Sequence, residues 1–506
     1  MSEYTWDKGG YVLQKKLPIF YNAMLLTGVN LLLRLVSTGF QVYLSGQIGA
    51  AGIGLLQLVL SVGGLALTAG MAGIRTATMY LTAEDIGKRR PENIRWVLSG
   101  CMRYSLLCSG GVAALVFCFA PLIAANWIGN ADVATVVRMY AFFLPVNCLT
   151  GVMVGYFTGI NRIGTLAAVE VAEQICTMGL TVTLLQIFAG GDPVRACGSV
   201  VMGSGMGACF TLLCLLYLRS REQKLPSARL SVRHRLYKTA VPLALADDLK
   251  SGISTVENLM VPKRLALCKS IGNPLAAFGV VCGMVFPVLM FPMAILFGLA
   301  ELLIPELARC AAAGSEKRIK YLAKRSLRLA LLYGCMFCGL LYLLSGDLCL
   351  WLYDNADAGV YLRWFALLAP MLYCDAITDA MIKGLGQQTA CVRYNIITTG
   401  MDVLFLYLLL PTYGMQGYFA SFLVTHLLNF LLSLRRLLKL TGKIMPLATP
   451  IFTLLATAFS IITAGFVQSP AWQAVSYILL MGSLLYLFGV VSREDLFWIK
   501  GLIRKK

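Results

Sequence analysis

The chain has 506 residues, of which 58% are hydrophobic and only 13% charged, and its mean hydropathy is +0.75. Soluble domains carry about a quarter charged residues, so this composition excludes a soluble protein. The net charge of +19 would suggest a nucleic-acid partner in a soluble chain. In a membrane protein, however, cytoplasmic loops concentrate Lys and Arg, and no nucleic-acid partner is expected.

The apolar runs, taken in chain order, predict about fourteen transmembrane helices, because a bilayer core takes about 20 apolar residues per helix. The first six runs lie at residues 17–44, 54–81, 97–124, 133–158, 165–188 and 196–218. Six more follow at 240–261, 274–299, 322–344, 360–382, 390–410 and 417–440, and a final pair at 446–467 and 472–491. We therefore expect an all-α, polytopic membrane protein with little chain outside the bilayer.

Lys and Arg mark one side of the predicted membrane. They crowd the N-terminal Lys15 and Lys16, the loops at residues 88–95, 219–238, 309–328 and 435–443, and the tail at 504–506. Both termini are therefore expected in the cytoplasm, and the chain in a cytoplasmic membrane. Lys263 and Arg264 break this pattern, because they follow the seventh run on the outer side. They are either a tolerated exception or cations that line a binding vestibule.

The sequence contains an internal repeat at a constant separation of 225 positions. Asn130, Ala131 and Asp132 match Asn355, Ala356 and Asp357, and Gly54, Gly73, Arg138, Ala141, Pro145 and Gly159 match Gly279, Gly298, Arg363, Ala366, Pro370 and Gly384. The repeat predicts two six-helix lobes that enter the membrane in the same direction, related by a pseudo-twofold axis along the membrane normal. The expected divisions are an N-terminal lobe at residues 1–225, a C-terminal lobe at 226–443, and an extra helix pair with a basic tail at 444–506. Two such lobes leave a central cavity that rocking opens to either side, which is the geometry of a transporter.

The seventh run carries the most polar residues. Asp247, Lys250, Ser251, Ser254, Glu257 and Asn258 recur at steps of three or four residues, which places them on one helical stripe. Ionisable groups inside a membrane are costly and usually face a cavity. This stripe is expected to line one, unless Asp247 and Lys250 only neutralise each other.

Two arginines are candidates for contact with an anionic ligand. Arg34 lies well inside the first run, with apolar neighbours and no acid within one helical turn. It must find a partner on another helix or be reserved for a ligand, and the guanidinium fork suits phosphate. Arg75 lies near the inner end of the second run, where it could instead extend to the cytoplasmic surface.

Five acids lie inside other apolar runs. Glu170 and Glu173 are one turn apart in the fifth run, Asp375 and Asp379 are one turn apart in the tenth, and Asp402 is near the middle of the eleventh. They could bind Na⁺ or relay protons, or they could pair with intramembrane cations.

The eighth run carries prolines and acids at its inner end. Glu301 and Glu306 flank Pro305, and these residues are expected to cap the helix end or gate the inner mouth. Pro287 and Pro292, earlier in the run, predict kinks.

Motifs for nucleotide hydrolysis, metalloproteolysis or serine hydrolysis are absent from the sequence. We therefore expect no catalytic residues, no metal site and no cofactor, and a protein that is not an enzyme. Movement would be driven by a Na⁺ or H⁺ gradient, by the membrane potential, or by consumption of the product.

Four segments carry a resemblance to a known family. They are GIGLLQLVLSVGGLALTAGMAGIRTATMYLTAE at 52–84, ENLMVPKRL at 257–265, GMVFPVLMFPMAILFGLAELLIPELA at 283–308, and LLPTYGMQGYFASFLVTHLLNFLLSLRRLLKLTG at 409–442. With them, almost the whole chain resembles the stage V sporulation protein B family of polysaccharide-type transporters. This family belongs to the multidrug/oligosaccharidyl-lipid/polysaccharide exporter superfamily.

The resemblance implies fourteen helices in two lobes and the movement of undecaprenyl-pyrophosphate-linked sugars, such as lipid II, from the inner to the outer leaflet. Arg34, Arg75, Lys263 and Arg264 match places where relatives carry basic residues, and the extra helix pair would give the lipid tail a lateral opening. Membrane lipids and cell-wall synthesis enzymes are the further expected partners. The chain departs from the family pattern in the acids of its seventh run, which would repel a pyrophosphate unless they are paired or protonated.

Four functions compete on these observations. The leading one is a flippase for a lipid-linked, anionic saccharide, with Lys250 among the cations that contact the head group. The second is a cation-coupled exporter of drugs or small molecules on the same fold, favoured by the acids. A membrane glycosyl transferase would use the same substrate but usually needs a sizeable outer loop, and the outer loops here are short. A scaffold that transports nothing would tolerate every substitution in the cavity.

Overall fold

A computed structural model of the chain describes residues 19–87, 93–221, 233–269 and 271–490. Lys15, Lys16, the basic tail at 504–506 and most of the predicted basic loops at 88–95 and 219–238 lie outside these ranges. Almost all of the described residues are helical, which satisfies the backbone hydrogen bonds of each segment internally, as a bilayer requires. The expected all-α, multi-pass membrane architecture is confirmed.

The described part of the chain contains eight helices that are long and apolar enough to cross a membrane, or ten when each of two bent helix pairs counts as one span. Two of the long helices contain a break, at Gly49 and at Gly414, where the backbone adopts a positive φ. The count of fourteen spans stays a prediction.

The chain forms two compact units. The first comprises Met1–Phe40 and Gln47–Pro262, and the second comprises Gln41–Gly46 and Lys263–Lys506. The seventh predicted span thus belongs to the first unit as far as Pro262.

The helices of the first unit follow the predicted runs in order. They are α1 (Ile19–Met71), α2 (Ile74–Gly87), α3 (Ile94–Leu122), α4 (Ala134–Gly159), α5 (Ile163–Leu184), α6 (Pro193–Ser220) and α7 (Arg233–Leu265). Local sequence explains where several begin. The side chain of Asp192 accepts a hydrogen bond from the Val194 amide ahead of α6, and Pro193 occupies the first turn, where its missing N–H costs nothing. α1 and α2 are separated by Ala72 and Gly73, both with positive φ.

Glycines allow the backbones of α2 and α4 to touch. Gly151, Gly155 and Gly159 recur every four residues on one face of α4. A Cβ on Gly155 would overlap the carbonyl oxygen of Arg75, and one on Gly159 would lie 2.8 Å from the Cβ of Thr82. Small residues at this spacing are typical of tight helix pairs in membranes.

The helices of the second unit are α8 (Pro274–Val280), α9 (Phe286–Met290), α10 (Met293–Ala312), α11 (Glu316–Leu343), α12 (Ser345–Tyr353), α13 (Ala356–Ala366), α14 (Ala369–Gly384), α15 (Gln388–Thr441), α16 (Ala448–Ala464) and α17 (Pro470–Leu487). Asn355 repeats at the start of α13 the cap that Asn130 makes before α4. The side chain of Asn355 accepts from the Ala358 amide at 2.9 Å, and that of Asn130 from the Asp132 amide at 3.0 Å. The predicted repeat is therefore visible in local structure as well as in sequence.

The kink predicted at Pro292 is confirmed, since the helical segments before and after it meet at 61°. Two tyrosines supply donors for carbonyls near the break. The buried Tyr373 hydroxyl donates to the Leu289 carbonyl and the Tyr333 hydroxyl to the Pro292 carbonyl, both at 2.8 Å. A bend that exposes carbonyls within a membrane needs such donors.

Tyr477 joins the final helix pair to the rest of the second unit. It is fully buried, its ring fills the space left by the missing side chain of Gly339 on α11, and its hydroxyl donates to the Cys335 carbonyl at 2.7 Å. The final helix pair is thus packed against the other helices of the second unit.

Candidate functional site

Arg34 and Arg75 are both exposed on helices of the first unit. Arg34 lies between the exposed Leu32 and Leu35 in the sequence of α1, and its carbonyl accepts a hydrogen bond from Thr38. Arg75 is the second residue of α2, which begins directly after the break at Ala72 and Gly73. The break therefore sets the start of α2 and with it the position of Arg75.

The structure brings Arg75, Glu170 and Glu173 together. Arg75 lies near enough to Glu170 to interact with its charge, although 95 positions separate them in sequence. Glu173 lies beside Glu170 and beside Thr211 of α6, and both glutamates are half-buried. Both predicted roles, ion binding or relay and pairing with an intramembrane cation, stay predictions for these acids, because Arg75 and Glu170 form no ion pair within 4 Å among the described residues.

The polar stripe of α7 is divided between two environments. Thr255 donates to the Ser61 carbonyl at 3.1 Å and Asn258 donates to the Ser61 hydroxyl at 3.0 Å, so this part of the helix is fastened to α1. Asp247 and Lys250 are exposed, and Glu257 is half-buried. Among the described residues, Asp247 and Lys250 form no ion pair within 4 Å with each other.

Asp248 is an acid that the sequence pattern did not single out. It is half-buried, and its Oδ1 atom is buried without a hydrogen-bond partner in the described part of the chain. Its charge faces Tyr104 of α3. In the sequence, its position directly after Asp247 is the feature that could have identified it as a candidate.

Lys263 and Arg264 take different positions at the end of α7. Lys263 is exposed, whereas Arg264 is half-buried. The Arg264 guanidinium carbon lies 3.3 Å from the centre of the Tyr407 ring. Its Nε–H has no acceptor among the described residues. A guanidinium held flat on a ring keeps its outer edge available to an anion.

The second unit contains a polar ladder, which we define as Ser421, Thr425, Asn429 and Ser433, at four-residue steps on the second half of α15. All four are buried. The hydroxyls of Ser421 and Thr425 donate to Asp402 Oδ1 at 2.5 and 3.1 Å, Asn429 donates to Asp375 Oδ2 at 3.0 Å, and Ser433 donates to Asp379 Oδ1 at 3.3 Å. The three predicted acids of this unit are thus brought together along one helix face.

The three acids that accept hydrogen bonds from the polar ladder differ in the counter-charge near each of them. Lys383 lies 3.5 Å from Asp379. Asp375 has a buried Oδ1 atom without a hydrogen-bond partner in the described ranges. Asp402 is only 4% exposed, and the nearest cationic candidate is His426, whose ring stacks on Phe422 with centres 3.7 Å apart. Buried charges of this kind need a counter-charge or a proton.

α6 of the first unit also buries residues at four-residue steps, but glycines occupy the middle of that face. α6 buries Ser199, Gly203, Gly207, Thr211 and Leu215, and α15 buries Ser421, Thr425, Asn429, Ser433 and Leu437, both at four-residue steps. Glycines in the first unit admit Thr177 and Thr181 of α5 into close contact. In α15 the middle of the face carries Thr425 and Asn429, which donate hydrogen bonds to Asp402 and Asp375.

Glu301, Pro305 and Glu306 lie on α10. Glu301 is exposed. Glu306 is held by Arg318 at 2.5 Å and by Arg309 at 3.5 Å. Among the described residues, no group of three or more His, Cys, Asp or Glu is arranged to hold a metal ion.

Arg235 forms an ion-pair cluster that the sequence did not predict. Its Nη2 atom lies 2.7 Å from Glu84 Oε2 and 3.0 Å from Asp85 Oδ1, and Asp85 is 1% exposed. Burial disfavours the charged guanidinium, but its hydrogen bonds to both carboxylates outweigh burial and raise the pKa of Arg235. The cluster ties the start of α7 to the end of α2.

Comparisons with known proteins agree with this architecture. Residues 19–245 match the profile of the family described as "Polysaccharide biosynthesis protein", and residues 269–408 match that of the MatE family. The chain is 21% identical over 476 residues to Stage V sporulation protein B of Bacillus subtilis (strain 168), covering 90% of this chain and 89% of that protein.

Two solved structures show the same fold. One is the inward closed conformation of the lipid II flippase MurJ, with a TM-score of 0.66 and 13% identity over 95% of this chain and 100% of that one. The other is an inward-facing multidrug resistance MATE family transporter, with a TM-score of 0.63 and 16% identity over 83% of this chain and 100% of that one.

Helices of this arrangement define a multi-pass membrane transporter fold. In sequence the chain resembles polysaccharide biosynthesis proteins over residues 19–245 and MatE proteins over 269–408, and in fold it resembles the lipid II flippase MurJ and a MATE family transporter. The resemblance drawn from the sequence is confirmed.

Proposed function

We propose that the protein moves a polyprenyl-pyrophosphate-linked saccharide, such as lipid II or a related cell-wall precursor, from the inner to the outer leaflet by alternating access. In this proposal both termini are cytoplasmic, the chain has two six-helix lobes, and the final helix pair accommodates the lipid tail. The observation that carries the proposal is a set of accessible cations on membrane helices, in a fold that a lipid II flippase shares.

The cations would recognise the pyrophosphate. Arg34, Arg75, Lys250 and Lys263 are exposed, and Arg264 lies on Tyr407 with its Nε–H unpartnered among the described residues. A pyrophosphate carries several acceptor oxygens, and guanidinium groups can engage two of them at once. Arg75 lies near enough to Glu170 to interact with its charge, so in this proposal the ligand would compete with Glu170 for Arg75.

The acids of the polar ladder would couple the movement to an ion. Asp402 is buried and Asp375 half-buried beside neutral hydroxyl and amide donors, so a proton or a Na⁺ ion would complete their neutralisation. Glu301, Pro305 and Glu306 would act at the inner mouth, where Arg309 and Arg318 hold Glu306 in this structure.

Reconstitution tests the proposal. Purified protein in liposomes should make a fluorescent lipid II, loaded in the inner leaflet, accessible from outside, and Arg34→Ala should lose most of this activity while folding normally. Arg195→Ala is the matched control, because Arg195 is an exposed arginine already occupied by Asp192 at 3.6 Å. Lipid II movement at the wild-type rate in Arg34→Ala would contradict the role assigned to this residue.

A cation-coupled exporter of drugs or small molecules is the second candidate. The buried acids of the polar ladder favour it, because carboxylates also bind organic cations. It predicts Na⁺- or H⁺-dependent efflux, and unchanged drug sensitivity on overexpression would refute it.

A further inference from the structure

The internal repeat preserves one pair of side chains in three dimensions. Arg138 lies over the Phe117 ring and Arg363 over the Tyr342 ring, and in both cases the guanidinium carbon is 5.6 Å from the ring centre. Both the arginines and the aromatic residues are 225 positions apart. We name these the arginine–aromatic pairs. Each unit contains one, with the same partners on equivalent helices and the same distance.

The pairs lie at the ends of their helices that are remote from the basic loops. Phe117 and Tyr342 are near the C-terminal ends of α3 and α11, whereas the basic residues of those helices, such as Arg95 and Lys317, are at the beginning. Since basic loops mark one side of the membrane, both pairs belong to the opposite side.

Exposed tryptophans indicate the depth of the pairs. Trp127 is 47% exposed and immediately precedes the Asn130 cap before α4, and Trp351 is 80% exposed and precedes the Asn355 cap before α13. Tryptophan is enriched at the level of the lipid head groups. The arginines follow those caps by two turns, so they lie within reach of the same level.

The guanidinium groups have donors to spare. Both arginines are exposed. Arg138 makes no hydrogen bond within the described ranges, and Arg363 donates only from Nε, to the Ser345 hydroxyl at 3.4 Å. Asp132 and Asp357 are six residues before the arginines, and no ion pair with them is found in the described part of the chain.

We propose that each arginine–aromatic pair binds the phosphate of an ordinary membrane phospholipid in the leaflet opposite the basic loops. The guanidinium fork would engage two phosphate oxygens, while the ring below holds its plane in place and the exposed apolar surface contacts the acyl chains. Phe142, one turn after Arg138 and 73% exposed, supplies part of that surface in the first unit. Because each unit carries its own site beside exposed apolar residues, the occupant is an abundant bilayer lipid rather than the transported molecule.

Native mass spectrometry of the purified full-length protein, titrated with phosphatidylglycerol, tests the proposal. The wild type should retain two tightly bound lipids. Arg138→Ala and Arg363→Ala should each weaken one site at least about tenfold, since several charge-assisted hydrogen bonds are lost, and the double variant should lose both. Phe117→Leu and Tyr342→Leu, which keep the arginines, should weaken the same sites to a smaller extent.

Two controls distinguish lipid binding at the arginine–aromatic pairs from a general effect of surface charge and from binding of the transported molecule. Arg195→Ala removes an exposed arginine that has Asp192 as partner and no ring beneath it, and it should retain both lipids. Undecaprenyl pyrophosphate at equal concentration should leave the two phosphatidylglycerol molecules bound. Equal lipid loss in Arg195→Ala, displacement by undecaprenyl pyrophosphate, or unchanged binding in correctly folded Arg138→Ala and Arg363→Ala would each overturn the proposal.

Discussion

Asp402 is the residue to which the proposed function most directly assigns ion coupling. Its carboxyl group is almost completely buried, and the two donors that reach it, Ser421 and Thr425, are both neutral hydroxyls that donate to the same oxygen. An ionised carboxylate in such surroundings is costly unless a cation or a proton accompanies it. In the proposed function, a proton or a cation from the surrounding solution would therefore accompany the Asp402 carboxylate.

Asp402→Asn tests this. The amide has nearly the same shape but carries no charge, so we expect transport to lose its dependence on the H⁺ or Na⁺ gradient and its rate to fall about tenfold or more. Stability should be equal or higher, because a buried charge is removed. Transport rates with and without each gradient, together with thermal unfolding in detergent, measure both effects. Gradient dependence that survives in Asp402→Asn would exclude this residue from coupling.

At the scale of the helices, two different devices fix neighbouring elements. α2 and α4 meet through glycines that bring backbones into contact, and the start of α7 is joined to α2 by the ion-pair cluster of Arg235, Glu84 and Asp85. The first depends on the absence of side chains and the second on charge. Each therefore fails under a different kind of substitution.

Gly155→Leu should separate α2 from α4. Its side chain would overlap the Arg75 carbonyl, so we expect a loss of about 3 kcal/mol in the free energy of unfolding and a clearly lower Tm. Gly110→Ala is the control, because a Cβ there meets nothing within 4 Å. Equal stability of Gly155→Leu and wild type by scanning fluorimetry would show that the helices do not pack this closely.

Arg235→Ala should leave the buried Asp85 without its counter-charge. Removing one partner of a buried ion pair costs about 3–5 kcal/mol, so we expect a strongly destabilised protein. Asp85→Asn in the same chain should recover part of the loss, since the uncompensated charge is then gone. Unfolding curves of the single and double variants give the coupling, and additive effects would argue against a direct pair.

Across the whole molecule, the sequence predicted elements better than contacts. Apolar runs located the helices, and Pro292 located the bend, because hydropathy and proline act locally. The partners of Arg75 and Arg235 could not be predicted, since Glu170, Glu84 and Asp85 are distant in sequence and their approach depends on how helices pack. The polar ladder is visible in the sequence as four polar residues at four-residue steps. Because Ser and Thr are common in membrane helices, this spacing does not predict that acids lie opposite them.

The repeated fold has also diverged between its two units. The buried face of α15 carries the polar ladder, whereas the buried face of α6 carries Gly203 and Gly207 between Ser199 and Thr211. The arginine–aromatic pairs have been kept on both. Features that serve the bilayer are thus repeated in both units, while the proposed coupling site belongs to the second alone.

A transport assay that offers two substrates to one preparation decides between the flippase and the exporter. Proteoliposomes would contain fluorescent lipid II in the inner leaflet and a fluorescent lipophilic organic cation in the lumen, and the appearance of each outside would be followed with and without an ion gradient. We predict that lipid II becomes accessible and that the organic cation leaves no faster than from protein-free vesicles. Export of the cation without movement of lipid II would contradict the proposed flippase and establish the exporter in its place.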